Sequence, residues 1–565
     1  LIYRWTLREY ADENTIHDLS EELKIPKTLV KVLVSRGITN KQEADKFFKP
    51  SLEDIHDPFL MLDMDKAARR VLQAVEKGES IWIHGDYDVD GTTSTAALLQ
   101  FLREIGCKVR FYIPDRFQDG YGISKRSIDE AKLFGASLLI SVDVGVTNIE
   151  PIDYANSLGF DVLICDHHEP SDSLPNAYAI LDPIREGCGY PFKYLAACGV
   201  VFKLIQAICI LRNNPDRALD YLDYVALASI ADMVPLIGEN RAFVHFGLER
   251  LNENTRPGFK GLLHCTRLKP GNITTSNVVF AIAPIINAAG RMGDAIRSVD
   301  MMVQTNEIGS FQIAQQLEDE NRKRRVFDLQ TFEESIPLAE EQIKQGKHAL
   351  VIHNSTWHPG VIGIVASRLV DRFHMPTVLM TTIEGHAKGS ARSIKNFDVH
   401  SALKSVSHLL TEFGGHKHAA GLSMELDKIE EFSHLFDVQT RQNIPKEMLD
   451  AEMMIDSELQ LNELSPTFFS ALNLFAPYGY NNFKLVFYTK GVTSSNGVKI
   501  VGNNILKFRA MQNNFVIDAI GYGMADKYSI CTSGKPFSIL YNLEINSFNG
   551  QNTPQLYIKD IRFED

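Results

Sequence analysis

Ile81-Trp82-Ile83-His84-Gly85-Asp86-Tyr87-Asp88-Val89-Asp90-Gly91-Thr92-Thr93-Ser94 is the stretch that decides the fold. A short apolar run ends in a histidine, three carboxylates follow at alternate positions, and small hydroxyl residues open a helical pattern. Strand, loop and helix in that order make the first unit of an α/β domain. Carboxylates at alternate positions of an extended loop point the same way. Three packed together repel strongly unless a divalent cation neutralises them. A solvated acidic loop is the alternative that this stretch alone leaves open.

Working outward, further short apolar runs end in carboxylates: Leu138-Leu-Ile-Ser-Val-Asp143, Val162-Leu-Ile-Cys-Asp166 and Ala177-Tyr-Ala-Ile-Leu-Asp182. Helical patterns at Thr93–Ile105 and Ser124–Phe134 lie between the runs. The alternation predicts a parallel sheet whose ligands sit at the carboxyl ends of its strands, where these acidic residues fall. Asp143, the Asp166-His167-His168 run and Asp232, a lone carboxylate in the apolar Ala-Ser-Ile-Ala-Asp-Met-Val-Pro, weaken the solvated-loop reading. Mixed aspartate oxygens with one or two imidazoles suit Mn²⁺ or Mg²⁺ better than zinc. Two such ions would generate a hydroxide nucleophile and clamp a phosphodiester.

The sequence divides into an N-terminal helical segment at 1–50, an α/β domain at 51–235 and a mainly helical region at 236–345. A second α/β pattern follows at 346–440, beginning at His348-Ala-Leu-Val-Ile-His353, and a β-rich tail occupies 450–565. The charged stretch Phe311–Gln345 predicts a long exposed connecting helix that Pro337 should kink or interrupt. In the tail, short runs at Leu485–Tyr488, Val498–Val501, Ile505–Met511, Val516–Ile520, Ser538–Ile545 and Gln555–Phe563 predict a small barrel.

Composition bounds the function. The 565 residues carry a net charge of −13, with 44% hydrophobic and 23% charged residues. That is ordinary for a folded chain and excludes disordered or collagenous classes. No apolar run reaches the roughly 18–20 residues of a membrane span. Seven cysteines with no C-x-x-C predict a reducing, cytoplasmic setting. The acidic balance excludes a DNA binder that works by bulk positive charge. Residues 345–425 nevertheless hold eight Lys/Arg against five Asp/Glu.

Several segments read as anion grips. In Ala288-Ala-Gly-Arg291-Met-Gly293, small residues let a backbone approach a phosphate on which Arg291 can fork; a surface arginine at a helix end is the alternative. Gly389-Ser390-Ala-Arg392-Ser393 reads equally as a phosphate pocket or an ordinary strand-end loop. In Gly414-Gly415-His416-Lys-His-Ala-Ala-Gly421 the glycines leave backbone N–H groups free for an oxyanion, or form a tight turn between helices. His358 is a substrate contact or a packed loop residue. The run Arg322-Lys-Arg-Arg325 reads as a solvated helix face, with a DNA contact as the alternative.

The ordered motifs carry a resemblance. His84-x-x-x-Asp88-x-Asp90, Asp143, Asp166-His167-His168, Asp232 and Gly414–Gly421 resemble the DHH/DHHA1 phosphoesterase superfamily. Within it the chain is similar to the RecJ-type family of single-strand-specific 5′→3′ DNA exonucleases, over roughly residues 50–565. Ile113–Gly122, Asn287–Gly293, Trp357–Gly363 and Pro477–Gly479 extend the likeness. The resemblance implies a DHH domain, a DHHA1 domain and a C-terminal OB-type barrel. It implies two ions, Mn²⁺ or Mg²⁺, held by Asp88, Asp90, Asp143, His167 and Asp232, with Asp143 bridging. His168 is implied as a transition-state or outer-shell group; Asp86 would orient the loop, Asp166 would hold an imidazole, and His84 joins this catalytic set. Arg116, Arg291, Ser390 and Arg392 are implied to bind a 5′-terminal phosphate, with Gly414, Gly415 and His416 as further substrate contacts; His358 keeps both of its readings. The implied activity is degradation of single-stranded DNA to 5′-mononucleotides in repair and recombination, by a monomer that meets single-strand-binding protein and a RecQ-type helicase. An oligoribonuclease, a cyclic-dinucleotide phosphodiesterase and an inactive replication scaffold are the alternatives within the superfamily.

Overall fold

A computed structural model describes the chain apart from residues 1–2, 10–11, 117–118, 121, 445–450, 549–550 and 565, and the side chains of 496, 546–548 and 551–552. Three residues of the Ile113–Gly122 motif and the expected boundary at 450 therefore lie outside the described residues. The fold has two compact units, one spanning Ile55–Ala451 and the other combining Tyr3–Asp54 with Glu452–Asp565.

In the first unit a five-stranded parallel sheet has the order Lys108–Tyr112, Ser80–His84, Ala136–Val142, Asp161–Cys165, Ala179–Leu181. Side chains alternate across it. Ile81, Ile83, Leu138 and Ile140 face one core, beneath Val89–Glu104 and Ala197–Leu211, while Trp82 and Leu139 face the other, beneath Lys125–Phe134 and Ile149–Ser157. Burial on both faces explains why the strands read as continuous apolar runs. The edge strand Lys108–Tyr112 escaped the sequence reading because two of its residues, Lys108 and Arg110, are charged and exposed. Strand order reverses beside Ser80–His84, so the crevice at the ends of that strand and Ala136–Val142 is where a ligand is expected.

Helices fill the region after Asp232, ending in one of 38 residues, Glu307–Lys344. Pro337 does not interrupt it. The helix is held on both sides of the proline: Thr331, Ser335 and Ala339 are buried, and Trp357 Nε1 donates to Glu334. Beyond it, a five-stranded mixed sheet runs Glu412–His416, Ala419–Glu425, His386–Arg392, Thr377–Ile383, Leu350–His353. The Gly414–Gly421 segment is not a turn between helices. It is a β-hairpin at the sheet edge, with Gly421 opposite Ser390 and Ala419 opposite Arg392. The helix Ile429–Asn443 carries the second α/β pattern past its expected end at 440.

In the second unit the strands Phe487–Val501, Ile505–Gln512, Phe515–Tyr522, Gln551–Phe563 and Phe537–Phe548 pair in that order, and the first and last also pair, closing a barrel. The runs at 485–488 and 498–501 are not separate strands. Phe487–Val501 is one strand whose polar, glycine-rich middle reads as a turn but forms bulges near Thr489/Val492 and Ser495/Lys499. Residues 4–7, read as part of a helical segment, form a strand parallel to Glu452–Ile455. Leu29, Val32 and Leu33 of the following helices pack into the same core as Phe468 and Phe487. Phe487, Phe508 and Tyr541 of the tail are likewise core, whereas Phe483 and Tyr522 are exposed.

Candidate metal centre

The loop after Ser80–His84 turns sharply into the helix Val89–Glu104. Asp88 is its N-cap, and Oδ1 accepts from Gly91 N at 3.0 Å. A Cβ on Gly91 would lie 2.6 Å from the Asp86 carbonyl oxygen, so only glycine lets the loop fold back on itself. Asp90, in the first helical turn, is buried. Its two oxygens accept from the backbone N–H groups of Ala197 and Cys198 at 2.7 and 2.8 Å. Asp143 adopts a left-handed backbone, φ 64, at the end of the neighbouring strand. Such a conformation is strained for a non-glycine residue and clusters at functional sites.

Among the described residues, three groups bring donor atoms within 4.8 Å of one another: Asp86, Asp88 and Asp143; Asp143, His167 and His168; and Asp90, His167 and Asp232. Asp143 and His167 each belong to two groups. His167 Nε2 is 3.3 Å from Asp143 Oδ1 and 3.8 Å from both Asp90 and Asp232. Asp232 sits at the C-terminal end of the helix Leu222–Ala231, which aims it at the cluster. Asp86 therefore shares the carboxylate cluster itself, beyond the loop-orienting role read for it. His84 and Asp166 are in none of these groups. His84 is fully buried behind the loop, bonded to Ser127 Oγ through Nδ1 at 2.6 Å and stacked on Tyr112. Asp166 accepts from the backbone N–H groups of Val146, His167 and His168, and from His168 Nδ1 at 2.7 Å.

The electrostatics suit a cation. Burial and the neighbouring Asp88 push Asp86 up to about 8 and Asp90 up to about 7. Burial and facing aspartates hold Asp143 and Asp232 well above the carboxylate range. Two like charges 4 Å apart cost about 4 kcal/mol at an effective dielectric of 20, and this cluster multiplies such pairs. The buried oxygens Asp86 Oδ1 and Asp143 Oδ1 accept no hydrogen bond. Orphaned anionic oxygens in a crowd of carboxylates, with an imidazole among them, fit a divalent ion of the Mn²⁺ or Mg²⁺ type. The adjacent histidines are split by their surroundings. Burial and the His168 charge lower His167 to about 4, leaving a neutral ring able to ligate. For His168, burial is outweighed by the Asp166 hydrogen bond and charge, and the ring is pushed up to about 9.

A cavity of about 340 Å³ in the same unit is lined by Arg116, Arg291, Lys388, Ser390, Arg392 and Gly415, among others, with no carboxylate among the described residues. Burial and the neighbouring arginines lower Arg291 and Arg392 to about 10. Three guanidinium groups held together in this way form an anion site. Gly363 keeps it open: a Cβ there would lie 2.8 Å from Arg392 Nη2 and 2.9 Å from Ser390 Oγ. Gly414, His416 and His358 do not line the cavity. His416 stands on the edge strand, where the charges of His168 and Arg392 reach it. His358 caps the helix Pro359–Phe373, accepting from Gly360 N, and stacks on Phe327 at 5.3 Å. Its position is that of a packed cap.

Three participants escaped the sequence reading. Lys388 was legible in principle, since 388, 390 and 392 share one face of a strand. Arg324 turns inward from its basic run, bonding Asn321 Oδ1 one helical turn away, and its charge bears on Arg291. Tyr87 joins the two sites. It lies between Asp86 and Asp88, Arg116 sits 5.2 Å over its ring, and Gly290 packs against its carbonyl oxygen, which a Cβ would approach to 2.7 Å.

Comparison with known proteins agrees with this anatomy. Residues 80–229 match the N-terminal domain of the DHH family, 346–441 the DHHA1 domain and 455–560 the RecJ OB domain. The single-stranded-DNA-specific exonuclease RecJ of Bacillus subtilis is 34% identical over 560 residues, covering 99% of this chain and 70% of the relative. The Escherichia coli RecJ is 32% identical, covering 98% of each. The crystal structure of Thermus thermophilus RecJ in complex with Mn²⁺ superposes with a TM-score of 0.86 at 25% identity, covering all of this chain and 80% of that one. With matching domains in order and relatives alike along nearly its whole length, the chain belongs to the RecJ family of the DHH phosphoesterases.

Proposed function

We propose that this protein is a Mn²⁺- or Mg²⁺-dependent exonuclease that hydrolyses single-stranded DNA from its 5′ end and releases 5′-mononucleotides. The observation that carries the reading is Tyr87. One residue couples a cation-seeking carboxylate cluster to an anion-seeking arginine cavity. A strand whose terminal phosphate sits among Arg116, Arg291 and Arg392 presents its next linkage at the cluster, which accounts for both polarity and product size.

Asp88, Asp90, Asp143, His167 and Asp232, with Asp86 beside them, would hold the ions. When bound, the ions supply a hydroxide nucleophile at neutral pH and neutralise charge on the phosphate. The chain does the rest. The Ala197 and Cys198 N–H groups fix the Asp90 carboxylate. Asp166, itself lowered to about 2 because His168 outweighs its burial, fixes the His168 ring. His168, a cation at neutral pH, faces the phosphate as a donor to charge developing on oxygen. The arginines bind the end phosphate, Lys388 adds charge, and Ser390 orients Arg392 by accepting from Nη1 at 2.8 Å.

RecJ relatives alike over nearly the full chain do not favour a cyclic-dinucleotide phosphodiesterase, an oligoribonuclease or an inactive scaffold. Roles in repair and recombination in the cytoplasm, action as a monomer, and partnership with single-strand-binding protein and a RecQ-type helicase belong to the same proposal. The test is digestion of end-labelled single strands, duplexes and RNA with Mn²⁺ or Mg²⁺. Labelled mononucleotides released first from 5′ labels on single-stranded DNA are expected. Release from the 3′ end, or equal attack on duplex, would overturn the reading.

A further inference from the structure

The segments that brace the group of Asp90, His167 and Asp232, rather than the Asp86–Asp88 loop that Tyr87 links to the arginine cavity, also present an aromatic and apolar surface. Tyr194 is 54% exposed and Met233 59% exposed, with Ile237 beside them in the same pair of segments. Tyr194 precedes Leu195, whose backbone hydrogen-bonds the His167 ring, and lies three residues before Ala197, which holds Asp90. Met233 directly follows Asp232 and has a left-handed backbone, φ 58. None of these residues lines the arginine cavity.

This surface is rigid. Asn240 Nδ2 donates to the carbonyl oxygens of both Tyr194 and Pro235, clamping the two segments together. Lys193 is folded inward onto the carbonyls of Pro183 and Cys188, leaving its neighbours to face out. Phe192 backs Tyr194 edge-on at 5.7 Å, and the Phe192 ring packs so closely on Gly238 that a Cβ there would lie 3.0 Å from it. A tyrosine held by its backbone and backed by a second ring costs little entropy when it binds a flat partner. Nothing in the core calls for a tyrosine at this exposed position.

We propose that Tyr194, supported by Phe192 and flanked by Met233, is the stacking platform for the base immediately 3′ of the scissile phosphate. The proposal rests on the exonuclease reading. If the end phosphate occupies the arginine cavity and the next linkage lies at the cluster, the strand leaves on the far side, past Tyr194. A base must leave its own stack to lie there, which costs more in a duplex, so the platform also favours single strands.

The test is the first cleavage of 5′-phosphorylated pentanucleotides with Mn²⁺, comparing an intact strand with one abasic at its second nucleotide. For Tyr194→Ala the expected result is a KM raised about 5- to 20-fold with kcat changed less than about twofold, and for Tyr194→Phe a KM near the parent value. The abasic strand should cost the parent enzyme the same factor and cost Tyr194→Ala nothing more. A parent enzyme that cleaves both strands equally well, a Tyr194→Ala loss that persists on the abasic strand, or failure of phenylalanine to restore KM would overturn the platform. A parent enzyme that cleaves neither strand would instead overturn the exonuclease reading beneath it.

Discussion

The carboxylate cluster and the arginine cavity are two solutions to one problem, crowding like charges away from water. In both, burial and like-charged neighbours move the groups toward neutrality: Asp86 and Asp90 up to about 8 and 7, Arg291 and Arg392 down to about 10. The consequences differ because the starting points differ. Carboxyls raised in this way lie near neutral pH, where a metal ion can compete with protons for them. The arginines remain charged at neutral pH and wait only for an anion. The supports differ too. Backbone N–H groups and a helix N-terminus hold the carboxylates, whereas Arg291 and Arg392 donate to carbonyls of Gly360 and Ala391. One site is conditional on its cofactor and the other is always armed.

The sharpest way to break the comparison is at Asp143, which belongs to two of the donor groups. Asp143→Ala should reduce Mn²⁺-dependent nucleotide release on the order of 1,000-fold or more, beyond the roughly 10–100-fold typical of residues that only support a ligand. Near-normal turnover would remove the cluster from the chemistry. At the other site, Arg291→Ala should raise KM for 5′-phosphorylated strands about 10- to 100-fold, the scale of a lost charge-assisted hydrogen bond. On 5′-hydroxyl strands the loss should stay below about threefold. An equal loss on both would detach the cavity from the end phosphate.

Titration separates the two sites next. Raised carboxyl pKa values mean that metal must displace protons at low pH. Mn²⁺ affinity measured by calorimetry should therefore rise about tenfold per pH unit below 7 and level off above about 9. The sign for stability is opposite in the metal-free protein. Carboxyls whose folded pKa exceeds the unfolded value cost stability that accumulates from about pH 4 up to their folded values near 7–8 and is fully present above them. The melting temperature with chelator should therefore fall relative to the Mn²⁺-loaded protein between pH 6 and 9. A gap independent of pH would mean the cluster is not charged in this way. The smallest effect is expected in the barrel, where Tyr522 is exposed and stacked on Tyr557 at 5.5 Å. Tyr522→Ala should weaken binding of strands of 20 or more nucleotides about 3- to 5-fold and leave trinucleotide cleavage unchanged. Equal effects on both lengths would make that ring structural.

Much of the site was legible in the sequence because its residues are punctuation. Asp143 and Asp166 end apolar runs, and Asp86, Asp88 and Asp90 fill a loop between a strand and a helix. A parallel sheet gathers such positions at one edge without needing any long-range detail. The residues that escaped act through packing. Arg324 looks solvated until the helix turns it inward beside Asn321, and Tyr87 looks like a spacer between carboxylates until Gly290 and Arg116 close on it. His358, attractive beside Trp357, stands at a helix N-cap, a position that its sequence neighbours did not announce. The bulged strand Phe487–Val501 and the unbroken helix across Pro337 share a cause, since tertiary contacts overrode local breakers.

The strand Arg4–Leu7 carries a consequence for how the protein is made. It pairs with Glu452–Ile455, and Arg4 bonds Glu452 across 448 residues of sequence. During synthesis at about 5–20 residues per second, the first segment leaves the ribosome roughly half a minute to two minutes before the barrel strands exist. Throughout that interval the apolar side chains of Leu29, Val32 and Leu33 have no core to enter. The catalytic unit can fold in the meantime from contiguous chain. Those side chains of the nascent segment thus stay accessible to a chaperone until the tail has emerged.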